Sequence, residues 1–473
     1  MSSGIRFWPA AIVVAYLLFF FGLGDVGVLG PDEPRYASIG REMAVSGDWI
    51  TPRLWGEEWF EKPALLYWMV AAAQLAGLGD DLAPRVPVAL SSVAFLLFFL
   101  LWLRRQFDPT VAFTAAAILS TSAGWLAYSQ VGVTDLPLAV TFSTAMLLCL
   151  PWLQCGDKRL LPLAGFFFGL AILAKGLVPL VLAAPLLWFG RKRWRDFPRI
   201  GMTAFSVALP WYGLMILHHG RGFVDEFFVR HHFGRFATEE LLHQRPWWFY
   251  LPVLAGGLFP WTPLLATIRP FRDIRLRFLL AVAAFGFAFF SASTNKLPGY
   301  LLPLLPAIAV LIGVGLQHGK QARTLLSVVA VLLVVLPVIA DVLPRALQSG
   351  LMRAGTDWSA VLPALPIAGV ALLVRRLDTK PAVALLAILA TIGVVYLKVR
   401  AYPAMEALVS ARSLWREVSG RASETCVDSV HRNWRYGLNY YSVQPLPDCK
   451  EASRPIRIRQ AGAGPPQVET GPS

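Results

Sequence analysis

The sequence carries acidic and basic side chains in polar segments between apolar runs, a combination that can stabilise opposite charges during a group transfer. Carboxylates can approach a positive charge that develops on a reacting carbon, and cations can receive a departing anion such as a phosphate. The acids available for the first task are Asp32, Glu33, Glu61 and Asp135, and the cations for the second are Lys62, Arg235, Arg245 and Lys296. A phosphate leaves as an anion, so such a reaction does not require an acid with a raised pKa.

Composition places these residues in a membrane protein. Of the 473 residues, 56% are hydrophobic and 15% are charged, and the mean hydropathy is +0.56. A helix that crosses the hydrocarbon core needs about 20 apolar residues, and about thirteen apolar runs of this kind follow one another along the chain. The sequence therefore predicts a mainly α-helical polytopic membrane protein with about 13 transmembrane helices.

Basic residues predict how these helices are oriented. The pairs Arg104/Arg105 and Arg375/Arg376 and the cluster at 191–195 fall in alternate loops, and such loops stay in the cytoplasm. This parity places the N-terminus in the cytoplasm of a bacterial inner membrane and the chain after about Lys398 in the periplasm. The net charge of +14 is spread over these loops, which argues against nucleic acid as a partner.

The predicted spans divide the chain into a membrane domain and a small external part. We expect a transmembrane domain at 1–400, with a first periplasmic loop at 25–83 and a second at 218–246. A very small periplasmic cap would follow at 401–453. The composition of the last residues, 454–473, predicts disorder.

Two cysteines support an external position for the cap. Cys426 and Cys449 flank a polar, Tyr-rich segment, and a disulfide between them fits an oxidising compartment. The alternative is a pair of free thiols in a cytoplasmic tail. Aromatic residues between Val427 and Val443 favour strands in the cap.

The first loop has the sequence pattern of a helix that lies in the membrane interface. Pro34 suits a first helical position and Gly47 a helix end, while Tyr36, Ile39 and Met43 form one apolar stripe. A second short helix is expected from Pro63. An acid at the start of a helix can serve as its cap, so capping and chemistry are both open interpretations of Asp32.

Ionisable residues at membrane depth are costly and mark functional cavities. Asp135 begins an apolar run, Lys175 lies in "LAKGL", and Lys296 lies in "STNKLPGY". Together with the two external loops they predict one cavity on the outer face. Lys175 either lines that cavity or occupies a helix end.

The motifs in these segments carry a family resemblance. They are "PDEPRYASIGREMAVSGDWITPRLWGEEWFEKPALLYW", "TDLPLA", "LAKG", "HFGRF", "RPWWFYLP" and "SASTNKLPGYLLPLLPA". In this order the sequence resembles the bacterial lipid A aminoarabinose transferases. These belong with the protein O-mannosyltransferases to the multispanning glycosyltransferases that use lipid-phosphate sugars, the GT-C superfamily.

This resemblance implies an undecaprenyl-phosphate sugar donor, an inverting transfer and a lipid or glycan acceptor such as lipid A. By its motifs, Asp32 approaches the sugar, Asp135 is a second acid, and Glu61 lies by the acceptor or a metal. Residues implied in binding the donor phosphate are Lys62, Lys296, Tyr300 and either Arg235 or Arg245. Further residues of the implied site are Glu33, Arg35, Tyr36 and Lys175.

A divalent metal ion is a further expectation. The second external loop holds five of the seven histidines, and the resemblance pairs His232 with Glu61 as ligands. The alternative is that these histidines lie at the interface beside aromatic residues.

Other functions are compatible with the same sequence. A transporter or flippase of lipid-linked sugars needs many spans and external polar loops, although carriers often show internal repeats. Protein O-mannosyltransferase activity is a second alternative. The sugar is 4-amino-4-deoxy-L-arabinose by resemblance, but the segment after the last span, about seventy residues, is shorter than expected of that enzyme. We expect a monomer.

Overall fold

Long apolar runs form helices throughout the computed structural model, which describes residues 7–234, 245–318, 321–462 and 464–470. Within these residues, seven helical stretches are long and apolar enough to cross a membrane. They are Val86–Gln106, Asp135–Cys155, Val178–Arg230, Ile274–Ala292, Pro298–Gln317, Ala322–Ser349 and Thr379–Val409. Shorter apolar helices accompany them. The mainly α-helical polytopic architecture is confirmed, and the number of thirteen transmembrane helices stays a prediction.

The described residues of the first half of the chain, 7–234, form twelve α-helices and a short hairpin. The helices are α1 (Phe7–Ala15), α2 (Asp32–Ser46), α3 (Leu65–Leu75), α4 (Val86–Gln106), α5 (Pro109–Ser120), α6 (Ala123–Tyr128), α7 (Asp135–Leu148), α8 (Leu150–Cys155), α9 (Leu161–Lys175), α10 (Val178–Leu182), α11 (Ala184–Gly190) and α12 (Phe197–Val224). The hairpin consists of β1 (Arg53–Leu54) and β2 (Glu57–Glu58). Tyr16–Phe20 and Asp225–Gly234 are π-helical, and Arg191–Asp196 is a 3-10 helix.

The second half continues with helices and ends in a small sheet. Its α-helices are α13 (Tyr250–Gly257), α14 (Ile274–Ala292), α15 (Leu305–His318), α16 (Ala322–Leu332), α17 (Leu336–Ser349), α18 (Leu365–Val374), α19 (Thr379–Val409), α20 (Ala411–Val418) and α21 (Arg432–Tyr441). Short 3-10 helices lie at Trp247–Phe249, Thr262–Thr267, Pro298–Leu304, Leu333–Val335, Leu351–Arg353, Trp358–Ala364 and Ser419–Glu424. The strands are β3 (Thr425–Asp428), β4 (Ile456–Arg459) and β5 (Gln467–Thr470).

Helix α9 packs closely against α12 because two glycines face the contact. A Cβ on Gly165 would lie 2.4 Å from the carbonyl oxygen of Ile200, and one on Gly169 would lie 2.7 Å from that of Ala204. Small residues at such positions allow membrane helices to approach one another. This packing fixes the end of α9, where Lys175 lies.

The first external loop folds as its sequence pattern predicts. Helix α2 ends at Gly47, whose φ of 72° lies in the left-handed region that favours glycine. The predicted stripe of Tyr36, Ile39 and Met43 is buried, with α3 as a packing partner. The second helix begins at Leu65, two residues after the predicted start. The packing of α2 on α3 holds the acidic first turn of α2, Asp32 and Glu33, in place.

The C-terminal cap has a core of its own. Strand β3 pairs in parallel with β4, and β4 pairs antiparallel with β5. Ile456 and Ile458 point into a cluster that includes Leu414, Trp434 and Leu438. The Cys426–Cys449 disulfide is present. It links β3 to the segment that precedes β4, as the disulfide prediction has it, and the alternative of two free thiols does not apply.

Two predictions for the cap are wrong. The segment 454–473 is not disordered over its described residues, because Ile456–Arg459 and Gln467–Thr470 form strands. Composition hid the alternation of isoleucine and arginine, which buries one face of a strand. The aromatic segment from Val427 to Val443 is mainly the helix α21, since its buried residues recur at helical spacing.

The cap is bound to the first loop by buried polar groups. The Arg412 guanidinium donates to the carbonyl oxygen of Gly24 at 2.8 Å and to a carboxylate oxygen of Asp81 at 2.6 Å. The Tyr441 hydroxyl donates to Asp81 at 2.6 Å and accepts the amide N–H of Val28 at 2.9 Å. These bonds hold α20 and α21 against the segment that leads to α2.

Candidate active site

The accessible acid of the first loop is Asp32, in the first turn of α2. The N-cap residue is Pro31, with no side-chain capping bond, so the capping interpretation of Asp32 is not what the structure shows. The Asp32 side chain is 41% exposed and forms an ion pair with Arg35, whose side chain is 14% exposed. A carboxylate at this position can meet a ligand from outside while a buried cation holds it in place.

Arg35 joins Asp32 to the next motif. Its Nη1 lies 3.0 Å from Oε2 of Glu61, and Lys62 Nζ lies 2.9 Å from Oε1 of the same carboxylate. Burial alone would lower the pKa of Arg35, but the Glu61 and Asp32 carboxylates outweigh it and raise that pKa. The predicted residues Asp32, Arg35, Glu61 and Lys62 therefore form one charged cluster, with Tyr36 buried beside it.

A second cluster forms where α7 begins, α9 ends and the 3-10 helix Pro298–Leu304 begins. Lys175 Nζ lies 2.6 Å from Oδ1 of Asp135 and 4.7 Å from the ring centroid of Tyr300. Lys175 thus lies at the end of α9 and pairs there with an acid and an aromatic ring, while its place in a cavity stays a prediction. Both Asp32 and Asp135 interact electrostatically with the Tyr128 hydroxyl, so the two clusters face a common region.

Gly299 lets the 3-10 helix approach this second cluster. A Cβ at this position would lie 2.5 Å from Asp135 Oδ1 and 2.7 Å from Cε1 of Tyr128. Any side chain larger than hydrogen would displace the carboxylate. The glycine of "KLPGY" is therefore part of the geometry of the site.

The remaining predicted cations have different surroundings. Lys296 is buried, its Nζ donates to the carbonyl oxygen of Ser293, and burial lowers its pKa. Arg245 is exposed, with its guanidinium carbon 5.9 Å from the ring centroid of Phe249. Arg235 and the side chain of His232 lie outside the described residues.

Glu33 is predicted as a site residue, but its side chain is buried among structural partners. Its carboxylate is fully buried and accepts from the Arg85 guanidinium at 2.7 and 2.8 Å. The amide N–H groups of Leu29 and Gly132 complete its hydrogen bonds at 2.7 and 2.8 Å. Sequence reasoning missed Arg85, because 52 positions separate it from Glu33 and only its place before an apolar run hinted at a role.

The described residues do not fit the predicted metal ion. They contain no group of three or more His, Cys, Asp or Glu side chains that could hold one. Glu61, the expected ligand, instead faces the cations Arg35 and Lys62, which would repel a metal ion. The expectation for His232 lies outside the described side chains.

Comparisons with known proteins agree with this architecture. Residues 4–214 match the sequence model of the dolichyl-phosphate-mannose-protein mannosyltransferases. An undecaprenyl phosphate-α-4-amino-4-deoxy-L-arabinose arabinosyl transferase of Pseudomonas fluorescens is 37% identical over 336 residues, which cover 66% of this chain and 57% of the relative. A transferase of the same name from Pseudomonas paraeruginosa is 36% identical over 341 residues, covering 67% of this chain and 61% of the relative.

A solved structure extends the similarity to nearly the whole chain. The crystal structure of ArnT from Cupriavidus metallidurans bound to undecaprenyl phosphate superimposes with a TM-score of 0.77 at 25% identity. The match covers 98% of this chain and 87% of that one. The chain belongs to the aminoarabinose transferase-like glycosyltransferases. The resemblance seen in the motifs is thereby confirmed, and so is the GT-C fold.

The chain matches only part of the length of its curated relatives. The alignments span only 57% and 61% of the two curated relatives. Both charged clusters lie within the part that this family's motifs cover. The cap, which supplies Tyr436 to the first cluster through a contact between its ring and Arg35, lies beyond those motifs.

Proposed function

We propose that the protein transfers a sugar from an undecaprenyl-phosphate donor to a lipid or glycan acceptor of the cell envelope. The observation that carries this proposal is the accessible Asp32 carboxylate beside the buried Arg35–Glu61–Lys62 cluster. This arrangement offers an anion to a sugar carbon and cations to a phosphate. The names of the curated relatives favour 4-amino-4-deoxy-L-arabinose as the sugar.

The charge distribution supports a single inverting displacement. Lys62 would bind the donor phosphate and neutralise its charge as the bond to the sugar breaks. Asp32 would accept the proton of an acceptor hydroxyl, or stabilise the sugar's positive charge if the acceptor is a phosphate. Lys175 and Tyr300 would complete the phosphate site, while Lys175 also holds Asp135 in place.

The remaining cations have supporting roles in this proposal. Arg235 or Arg245 would approach the donor phosphate from the second external loop. Lys296 would add positive charge from the "KLPGY" motif. The buried ammonium group of Lys296 is consistent with a site from which water is excluded.

Orientation and assembly are part of the same proposal. We assign the site and the C-terminus to the periplasmic side and the N-terminus to the cytoplasm, with a transmembrane domain at 1–400 and a periplasmic cap that begins at 401 and includes β4 and β5. The disulfide of the cap supports this orientation, because such bonds persist in oxidising compartments. The protein would act as a monomer.

The test is sugar transfer by the purified full-length protein. Asp32→Asn should reduce kcat about 10²- to 10⁴-fold, the contribution typical of a general base, without lowering the melting temperature. Asp378→Asn, on a side chain that is 88% exposed, is the matched control. Donors carrying aminoarabinose and mannose should both be assayed.

Three results would decide against this proposal. Full turnover by the Asp32→Asn variant would remove the assigned role. Wild-type transfer from the mannose donor to a peptide would favour a protein O-mannosyltransferase. Movement of a lipid-linked sugar across vesicles, without transfer, would favour a carrier.

A further inference from the structure

We propose that Trp55, Trp59 and Tyr436 form the subsite that holds the sugar ring of the donor beside Asp32. This inference rests on the proposed function and names the part of the site that recognises the sugar. Trp55 and Trp59 come from the β1–β2 hairpin region, and Tyr436 comes from α21 of the cap. The subsite is therefore assembled from two distant segments.

Arg35 connects these rings to Asp32, because it pairs with the acid and also contacts two of the rings. The guanidinium carbon of Arg35 is 5.4 Å from the ring centroid of Trp59 and 5.5 Å from that of Tyr436. The ring of Tyr436 lies 5.7 Å from that of Trp55. Aromatic side chains offer large rigid faces to a ligand together with a polar group at one edge. The apolar C–H face of a sugar ring matches such a surface.

Three hydrogen-bond donors at or near these rings have no partner among the residues that the structure describes. The Nε1 atoms of Trp55 and Trp59 are buried, and no described atom accepts from them. The fully buried hydroxyl of Tyr67 likewise has no partner among the described residues, and it interacts electrostatically with Glu61 and Arg35. Buried polar groups are normally paired. The hydroxyl groups of a sugar would supply the missing acceptors.

Trp55 has a backbone conformation that is unfavourable for its residue type, which supports a functional role for its side chain. Trp55 has φ 53° and Gly56 has φ 86°, a pair that corresponds to a two-residue hairpin turn of type I′. Asn-Gly or Gly-Gly is favoured in that turn, and a bulky residue with positive φ is strained. Glu42 stabilises the turn by accepting the N–H groups of Trp55 at 2.5 Å and Gly56 at 3.0 Å.

The decisive variant is Trp55→Gly, because glycine suits the positive φ at this position. It removes the indole while the turn is kept, so relief of the backbone strain offsets part of the lost packing, and thermal unfolding of the variant checks that it folds. Affinity is measured for two probes, undecaprenyl phosphate and undecaprenyl phosphate-α-4-amino-4-deoxy-L-arabinose. Trp358→Gly, at a ring that is 66% exposed on another segment, is the matched control.

We expect a loss that is confined to the sugar-bearing probe. The affinity of Trp55→Gly for undecaprenyl phosphate should stay within about twofold of the wild type, and that for the sugar-bearing lipid should fall about tenfold or more. Tyr436→Leu should give the same contrast from the cap side. A parallel fall in kcat/KM for transfer would accompany the loss of affinity.

Several outcomes would overturn this subsite. Unchanged affinity for the sugar-bearing lipid would do so and leave the proposed function intact. Equal losses for both probes would assign Trp55 to the phosphate site, and a change only in the KM of the acceptor would assign it to the acceptor. If the wild type transfers no sugar, the proposed function fails, whereas the contrast between the two probes still decides the subsite.

Discussion

Asp32 and Glu33 are neighbours on one helical turn, but their surroundings are different. Asp32 is 41% exposed beside Arg35, whereas Glu33 is fully buried against Arg85. The Arg85 guanidinium also donates to the carbonyl oxygens of Leu23 and Gly27. Glu33 and Arg85 therefore hold the segment that precedes Asp32 and fix the position of that acid.

Glu33→Gln should destabilise the protein while Asp32→Asn should not. Loss of the Glu33 charge leaves Arg85 buried without its counter-ion, which costs about 3–5 kcal/mol. The measurement is the midpoint of thermal unfolding in detergent for both variants, each of which changes one carboxylate to an amide. Equal midpoints for Glu33→Gln and the wild type would contradict the assigned structural role.

Lys296 should make stability depend on pH on the alkaline side. Burial lowers its pKa below the ordinary value of 10.5, so the unfolded chain binds more protons than the folded one between the two pKa values. Stability contributed by this group should therefore rise with pH through that window. The difference in melting temperature between Lys296→Met and the wild type, measured across the window, checks it. A difference that does not vary with pH would contradict the prediction.

At the scale of elements, three segments that are far apart in sequence meet at the carboxylate of Asp135. Helix α7 begins with Asp135, α9 ends with Lys175, and the 3-10 helix Pro298–Leu304 brings Tyr300 to the same pair. The close packing of α9 on α12 at Gly165 and Gly169 fixes this arrangement. The site depends on how these helix ends meet.

Gly299→Ala should disrupt the contacts among Asp135, Lys175 and Tyr300. The new Cβ would stand 2.5 Å from Asp135 Oδ1, and the displaced carboxylate would lose its bond to Lys175. We expect a fall in kcat of about a hundredfold, with a loss of stability of about 1–3 kcal/mol. Gly369→Ala, at a helical glycine with nothing within 4 Å, is the control and should retain activity. Wild-type transfer by Gly299→Ala would contradict this geometry.

Local patterns in the sequence predicted local structure well. The extent of α2, its buried stripe and its end at Gly47 follow from spacing and glycine conformation alone. The partners of Glu33 and the strand pairing of Ile456–Arg459 could not be predicted, because they depend on residues far away in sequence. Trp55 also escaped notice, since tryptophan is not a residue that indicates a type I′ turn. The acidic residues could be identified from the sequence, whereas the residues that surround them could not.

At the scale of the whole molecule, the cap and the membrane domain form a continuous structure. Arg412 bonds to Gly24, Asp25 and Asp81, and Tyr436 contacts Arg35. A change in the cap should therefore affect sugar transfer as well as the stability of the cap itself.

Removal of the disulfide tests this connection. The double variant Cys426→Ser/Cys449→Ser frees a loop with a sequence separation of 23, which should cost about 3 kcal/mol and reduce transfer. Thiol labelling of the unfolded wild type before reduction should modify only Cys149 and Cys155, the free cysteines. Labelling of all four cysteines without reduction would contradict the disulfide and, with it, the proposed periplasmic location of the cap.

The bonds between the first loop and the cap also set the order in which the protein can mature. Val28 and Tyr441 are 413 positions apart, and Glu33 and Gly132 are 99 apart. The surroundings of Asp32 are therefore complete only after residue 441 has been synthesised. A nascent chain arrested between Gly132 and the cap would have made the partners of Glu33 but not the bond from Val28 to Tyr441. The first loop thus reaches its final structure long after its own residues have been made.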